Sequence, residues 1–316
     1  MGAAMPTVSA ADIERAEARI RPFIRRTPVM QLSPDVTVKL EFLQHGGSFK
    51  PRGAFNTILS HDVPKAGVAA ASGGNHGLAV ALAAKLRGVP ATIFVPEIAS
   101  PAKIAAIRAT GADLRVGGAR YNDALAACTQ FVAASGALSV HAFDTRETIA
   151  GQGTLALEWD AQTDAQLDTV LVAVGGGGLI AGMAAWWRGS VKVVGVEPEG
   201  SRALHAALQT GKPVDVDVNS VAADSLGAKR AGDLVVAIAR DYVDHVVLVA
   251  DAAITAAQSE LWAELRIAAE PGGAAAFAAL KSGAYRPVPG ERVGVLLCGA
   301  NVELTKLAAA TAVLKT

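Results

Sequence analysis

Cysteine is nearly missing: Cys128 and Cys298 are the only two in 316 residues. They lie far apart, which excludes a disulfide-stapled secreted scaffold and any paired-cysteine metal knuckle. Aromatic residues make up 5%, too few for a base-stacking nucleic-acid surface. Neither sign of charge is in excess, with 29 Lys plus Arg against 29 Asp plus Glu, so neither nucleic acid nor an anionic membrane is an expected partner. No run reaches the about 18 uninterrupted apolar residues of a membrane span. Met1 to Arg26 has no basic stretch leading into an apolar one, so no secretion signal is expected and the cytoplasm is the expected compartment. The patterns G-x-x-x-x-G-K-[ST], H-E-x-x-H and G-x-S-x-G do not occur, which weighs against NTPases, zinc proteases and α/β-hydrolases.

What is present is apolar material, 51% of the chain, enough for one large domain or two ordinary ones. Ile13, Ala16, Ile20 and Ile24 recur at helical spacing and predict a helix over Asp12 to Ile24, broken at Arg26-Thr27-Pro28. Val36 to Phe42 reads as a short strand. From Gly67 the pattern alternates. Strands are expected at Val68–Ala71, Ala91–Val95, Asp113–Val116 and Leu138–Ala142, with helices at His76–Leu86, Pro101–Ala109 and Tyr121–Ala134. A second series begins with Thr169–Val174, apolar throughout as a strand buried on both faces should be. A helix through Trp187 follows, then strands at Val191–Val196, Val243–Val249 and Val293–Leu297. This rhythm predicts an α/β protein of two doubly wound, largely parallel lobes. The smaller lobe, 67–144, is inserted into a larger one formed by 1–66 and 145–316, with a ligand cleft between them.

Four segments carry candidate chemistry. In Gly46-Gly47-Ser48-Phe49-Lys50-Pro51-Arg52-Gly53-Ala54 a lysine sits off any charged helical face. Glycines allow close approach of a ligand, and Phe49 offers an apolar wall. A buried amine has a lowered pKa and becomes a nucleophile suited to imine formation with an aldehyde. A lone lysine is otherwise a solvated surface residue. Ser72-Gly73-Gly74-Asn75-His76-Gly77 follows a strand and opens a helix. It is either a capped turn or an anion site in which Ser72 adds a hydroxyl and Asn75 bonds a phenolate-type oxygen. His76 reads as a satisfied helix-start histidine before a catalyst.

Gly175-Gly176-Gly177-Gly178-Leu179 stands between a buried strand and a helix, where converging N–H groups make a phosphate cradle. The same residues fit a dinucleotide fingerprint through Gly176, Gly178 and Ala181, with Glu197 placed as the ribose acid. A nicotinamide-dependent dehydrogenase is the rival that this segment allows. Cys298-Gly299-Ala300-Asn301 ends the last strand. Cys298 is either a small buried hydrophobe or a neutral group facing a heteroaromatic nitrogen.

Together these segments, with Ile24-Arg25-Arg26-Thr27-Pro28 and Ile149-Ala150-Gly151-Gln152-Gly153-Thr154, resemble the fold type II pyridoxal-phosphate enzymes, specifically the serine/threonine dehydratase and serine racemase family. The resemblance implies pyridoxal 5'-phosphate bound as a Schiff base to Lys50 and lying against Phe49, with a small amino acid as substrate. It implies Asn75 on the ring oxygen and Gly175, Gly176, Gly177, Gly178 and the Leu179 N–H on the phosphate. Cys298 then lies near the ring nitrogen and Ser72 holds the substrate carboxylate. The reaction implied is β-elimination of a hydroxy amino acid to a 2-oxo acid and ammonia, with Lys50 removing the Cα proton. Two departures matter. Gly73 stands where racemases carry a second serine, which favours a dehydratase over a serine racemase; a 3-hydroxyaspartate ammonia-lyase is a further alternative. Ala203 replaces the second carboxylate of the family's cation site, leaving Glu197 alone, so no metal is expected. The resemblance also suggests a homodimer. With the sequence ending soon after Cys298, the appended regulatory domain of the feedback-inhibited branch is not expected.

Overall fold

The computed structural model describes residues 7–308 except 165 and 306. Helix α1 (Ala10–Ile20) buries Ile13, Ala16 and Ile20 and starts with a capping box in which Ser9 and Asp12 bond each other's main-chain N–H. It ends four residues before the predicted limit. Strands β1 (Val29–Ser33) and β2 (Val36–Lys39) form a tight antiparallel pair. A one-turn 3-10 segment at Glu41–Leu43 and a second at His45–Gly47 then lead to α2 (Lys50–Leu59). Lys50 therefore opens a helix whose residues Pro51 to Ile58 are buried, a placement that the glycine-rich segment before it does not announce.

Four strands follow, β3 (Val68–Ala71), then α3 (Asn75–Arg87), β4 (Ala91–Val95), α4 (Pro101–Arg108), β5 (Asp113–Val116), α5 (Tyr121–Ser135) and β6 (Leu138–Ser139), the first three with the bounds expected and β6 three residues shorter. They make one parallel sheet in the order β5-β4-β3-β6. Its core joins Val68, Ile93, Val95 and Ile107 to Ile20, Ala54, Phe55 and Ile58, so α2 and the end of α1 pack into the same cluster as the smaller sheet.

Helix α6 (Arg146–Thr163) leads back to the larger sheet. There β7 (Thr169–Ala173), α7 (Gly178–Trp187), β8 (Lys192–Pro198), α8 (Ala203–Thr210), α9 (Ala223–Leu226), α10 (Asp233–Tyr242), β9 (His245–Val249), α11 (Asp251–Leu265), α12 (Pro271–Ser282) and β10 (Val293–Leu296) follow among the described residues. The six strands run β1-β2-β10-β7-β8-β9, parallel except for the β1–β2 pair. Val170, Leu171, Val172, Val193, Val194, Val295 and Leu296 are each 1% exposed or less, which explains their unbroken apolar runs. Because β10 and β7 are parallel neighbours, the turns after them, at Cys298 and Gly175, open on the same edge of the sheet.

Candidate active site

Lys50, Cys298 and the glycine turn meet at that edge. The lysine segment is tied to the end of β10 by main-chain bonds: Phe49 N–H to the Cys298 carbonyl at 3.1 Å and Ala300 N–H to the Gly47 carbonyl at 2.9 Å. Lys50 Nζ lies 5.1 Å from the centre of the Phe49 ring and donates to the Ala142 carbonyl at 2.8 Å. Burial pulls the amine down to about 8, with Cys298 and Glu270 acting in the opposite direction. It is a lysine with an accessible neutral form, as the sequence suggested.

Arg52, in the first turn of α2, anchors this helix. Its Nε and Nη2 reach Glu41 at 2.6 and 3.0 Å, and Nη2 also reaches Glu158 at 2.9 Å. Lys39 pairs with the second oxygen of Glu158 at 2.5 Å. Arg52, Glu41 and Lys39 are fully buried, so the pairs lock β2, α2 and α6 together out of water.

The Ser72 turn lies between β3 and α3. Ser72 Oγ accepts from the Gly74 N–H at 3.2 Å, so the hydroxyl shapes the turn. A Cβ on Gly73 would stand 2.6 Å from the Ala99 Cβ and 2.9 Å from Val95, so position 73 has no room for a side chain as the turn now sits. Asn75 Nδ2 donates to Glu270 at 2.6 Å. His76 is buried, bonds the Val140 carbonyl at 2.8 Å and is pushed down to about 3 by burial, a neutral structural group.

Each of the four glycines after β7 has a packing reason. A Cβ at 176 would meet the Phe143 ring at 2.3 Å, at 177 Val235 at 2.4 Å, at 178 the Phe143 carbonyl at 2.6 Å, and at 175 the Leu226 Cα at 3.1 Å. The count of glycines is thus no direct sign of a ligand. What points to one is the start of α7, where the first N–H groups, Leu179 among them, have no partner within the helix. The neighbouring start of α10 is already occupied: Asp144 accepts from the N–H groups of Asp233, Leu234 and Val235 at 2.9 to 3.2 Å.

Cys298 is 4% exposed, and burial pushes its thiol up to about 12, so it stays neutral. Beside it lies Glu270, which precedes α12 and is pushed up to about 7 by burial. Its Oε2 is buried without a hydrogen-bond partner among the described residues. Sequence reasoning missed Glu270. The helix-start signal of Glu270-Pro271 was there to read, but the carboxyl's burial 195 residues away from its partner Asn75 was not. Also missed was His141–Asp144, which supplies the Ala142 carbonyl, the Phe143 wall and the Asp144 cap. Lys103 of α4 and Asp224 of α9 form an ion pair that joins the two sheets' elements beside Gly74.

Glu197, which the dinucleotide fingerprint would place as the ribose acid, is turned to another use. It is fully buried, and its two oxygens accept the N–H groups of Leu204 and His205 at 2.9 and 2.8 Å, capping α8. That removes the acid from the dinucleotide fingerprint. The chain matches the family of pyridoxal-phosphate dependent enzymes over residues 20–299. It belongs to that family. It is 38% identical to phenylserine dehydratase from Ralstonia pickettii, over 96% of each chain. It is also 38% identical to L-threonine ammonia-lyase from Geobacter sulfurreducens, over 92% of this chain and 75% of that one. Among solved structures, maize serine racemase superposes with a TM-score of 0.89 at 33% identity, covering 98% of both chains. The dehydrogenase alternative is therefore discarded, and the α/β fold type II architecture stands. The residues present fit the cofactor. A lysine with lowered pKa, an asparagine with an N–H to spare, a neutral thiol and an unpartnered carboxyl oxygen are neighbours, and Ala142-Phe143 joins them to the bare start of α7.

Proposed function

We propose that the protein is a pyridoxal-phosphate dependent ammonia-lyase of β-hydroxy-α-amino acids, converting serine, threonine or a 3-substituted relative to a 2-oxo acid and ammonia. Two relatives support the reaction class: one is named for phenylserine, the other for threonine. The observation that carries the reading is the joint placement of Lys50 and Cys298, tied together through Phe49, at the strand ends where such sheets bind ligands.

In this reading Lys50 holds the cofactor's aldehyde carbon and, as a free amine, takes the Cα proton of the substrate. Gly175, Gly176, Gly177, Gly178 and the Leu179 N–H hold the phosphate. Phe49 lies against the ring, Asn75 bonds the ring oxygen, and Cys298 faces the ring nitrogen. Ser72 and the neighbouring main chain hold the substrate carboxylate. The cofactor supplies a sink for the negative charge that develops at Cα. A neutral thiol beside the ring nitrogen imposes no proton there, which suits prompt loss of the β-hydroxyl. The residues 67–144 act as a small lobe over a large lobe of 1–66 and 145–316, and the enzyme works as a cytoplasmic homodimer. No described helix is long and apolar enough to cross a membrane.

Serine racemase is the second reading, favoured by the maize structure. Gly73 weighs against it, since it carries no proton donor and leaves no room for one. A panel of serine, threonine, phenylserine and 3-hydroxyaspartate, scored for ammonia and 2-oxo acid with chiral analysis of residual serine, tests the proposal. Ammonia release from at least one is expected. Racemisation of serine without ammonia release would replace this reading with the second.

A further inference from the structure

Two asparagines from distant parts of the chain meet beside this site. Asn301 Nδ2 donates to the Gly46 carbonyl at 2.7 Å and to Asn75 Oδ1 at 2.7 Å. Asn75 Nδ2 in turn donates to Glu270 Oε1 at 2.6 Å. Chemistry forces the order of these bonds. A main-chain carbonyl only accepts, so the side of Asn301 facing Gly46 must be its NH2. That nitrogen carries two hydrogens and accepts nothing, so the atom of Asn75 facing it must be oxygen. Asn75 is then obliged to turn its own NH2 toward Glu270 and the cleft. One of its two N–H groups goes to Glu270 and the other remains for a ligand.

We infer that Asn301 is a positioning residue that locks the amide of Asn75 in the one orientation that presents an N–H to an anionic oxygen on an aromatic ring. The inference rests on the reading of Asn75 as a cofactor-binding residue. With the amide reversed, a carbonyl oxygen would face that ring oxygen and repel it. The same side chain also fixes the approach to Lys50. Gly47, at φ +72, passes so close that a Cβ there would stand 2.6 Å from Asn301 Oδ1. The two glycines before Lys50 thus make room for Asn301 and, at Gly46, for Leu78 and Leu82.

A double-mutant cycle tests this. Apo wild type, Asn301→Asp, Asn75→Ala and the double variant are titrated with pyridoxal phosphate, recording the dissociation constant and the absorption spectrum of the bound form across pH. Far-UV circular dichroism and melting of the apo proteins report folding. Asn301→Asp keeps the shape but loses both donors. It is expected to raise the dissociation constant about tenfold, the scale of one hydrogen bond. It should also shift the titration of the bound chromophore in the direction that Asn75→Ala shifts it. On the Asn75→Ala background it should shift the chromophore no further and weaken binding much less than it does in wild type, because the contact with Asn75 is already gone and only the bond to Gly46 is left to lose. Wild-type affinity with an unshifted spectrum in Asn301→Asp, or losses that add in the double variant, overturns the inference. A residue that merely anchored the Gly46 turn would lower the melting temperature and leave the spectrum alone. Should Asn301→Asp fail to fold, Asn301→Ala enters the same cycle with the same two outcomes. If Asn75→Ala itself binds and absorbs as wild type, the role given to Asn75 fails, a result distinct from failure of Asn301 alone.

Discussion

Lys50 Nζ donates to the carbonyl of Ala142 at 2.8 Å, joining the first turn of α2 to the segment that leads from the smaller sheet into α6. The amine is held by a neutral acceptor and, pulled down to about 8 by burial, gives up its proton far more readily than a surface lysine. The apo protein should therefore take up pyridoxal phosphate at a rate set by the neutral amine. That rate is expected to rise about tenfold per pH unit up to about pH 8 and then level off. Stopped-flow absorbance at the imine band measures it. A rate still climbing at pH 10 would mark an ordinary lysine.

Arg52 lies between Glu41 and Glu158, all at most 7% exposed. Arg52→Met leaves two buried carboxylates facing each other with only Lys39 to offset them. Loss of one partner of a buried pair costs about 3–5 kcal/mol. A large drop in the denaturant midpoint is expected, with the loss of cofactor binding secondary to it. Unchanged stability would mean that the cluster contributes little.

Position 73 discriminates between lyase and racemase geometry. Gly73→Ser puts a Cβ against Ala99 and Val95, so the turn must move. Turnover should fall about tenfold or more. Adding Ala99→Gly removes the nearer obstacle and should restore part of it, together with measurable serine racemisation on chiral chromatography. Full turnover in the single variant would show that the turn yields freely.

Glu197 gives a pH signature. Burial raises it from 4.5 to about 7, so the folded chain binds its proton more tightly than the unfolded chain does. The stability it contributes is complete below about pH 4.5 and is lost as pH rises through 7. Each pH unit inside that window is worth about 1.4 kcal/mol. Going from pH 5 to pH 8, the apo wild type should lose about 3 kcal/mol relative to Glu197→Gln, read from urea unfolding. Parallel pH profiles would contradict the placement of this carboxyl.

Most of this was legible in the sequence where a local pattern matched a local cause. The alternation after Gly67 located β3 to β6 within a few residues; Lys50 and Asn75 were visible as polar residues beside glycines, and Cys298 as a reactive one at a strand end. What escaped notice depends on contacts between distant segments. Helix α6 has no polar face, because Arg52, Ile13 and α7 close around it, so no helical periodicity marks it. Strand β1 is half exposed and short, too weak a pattern to register. Glu270 carried no signal of its own and Asn301 stood in the Cys298 segment without a role; only folding brings both to Asn75. Glu197 stood at a strand end, where an acid so often meets a ligand, yet its partners are the N–H groups of the next helix.

The most direct measurement is peptide mass spectrometry of the holoprotein after borohydride reduction. A single pyridoxyl group is expected, on Lys50, and Lys50→Ala should show neither the yellow colour nor release of ammonia from any hydroxy amino acid. An adduct on another side chain, or none at all, would contradict the account.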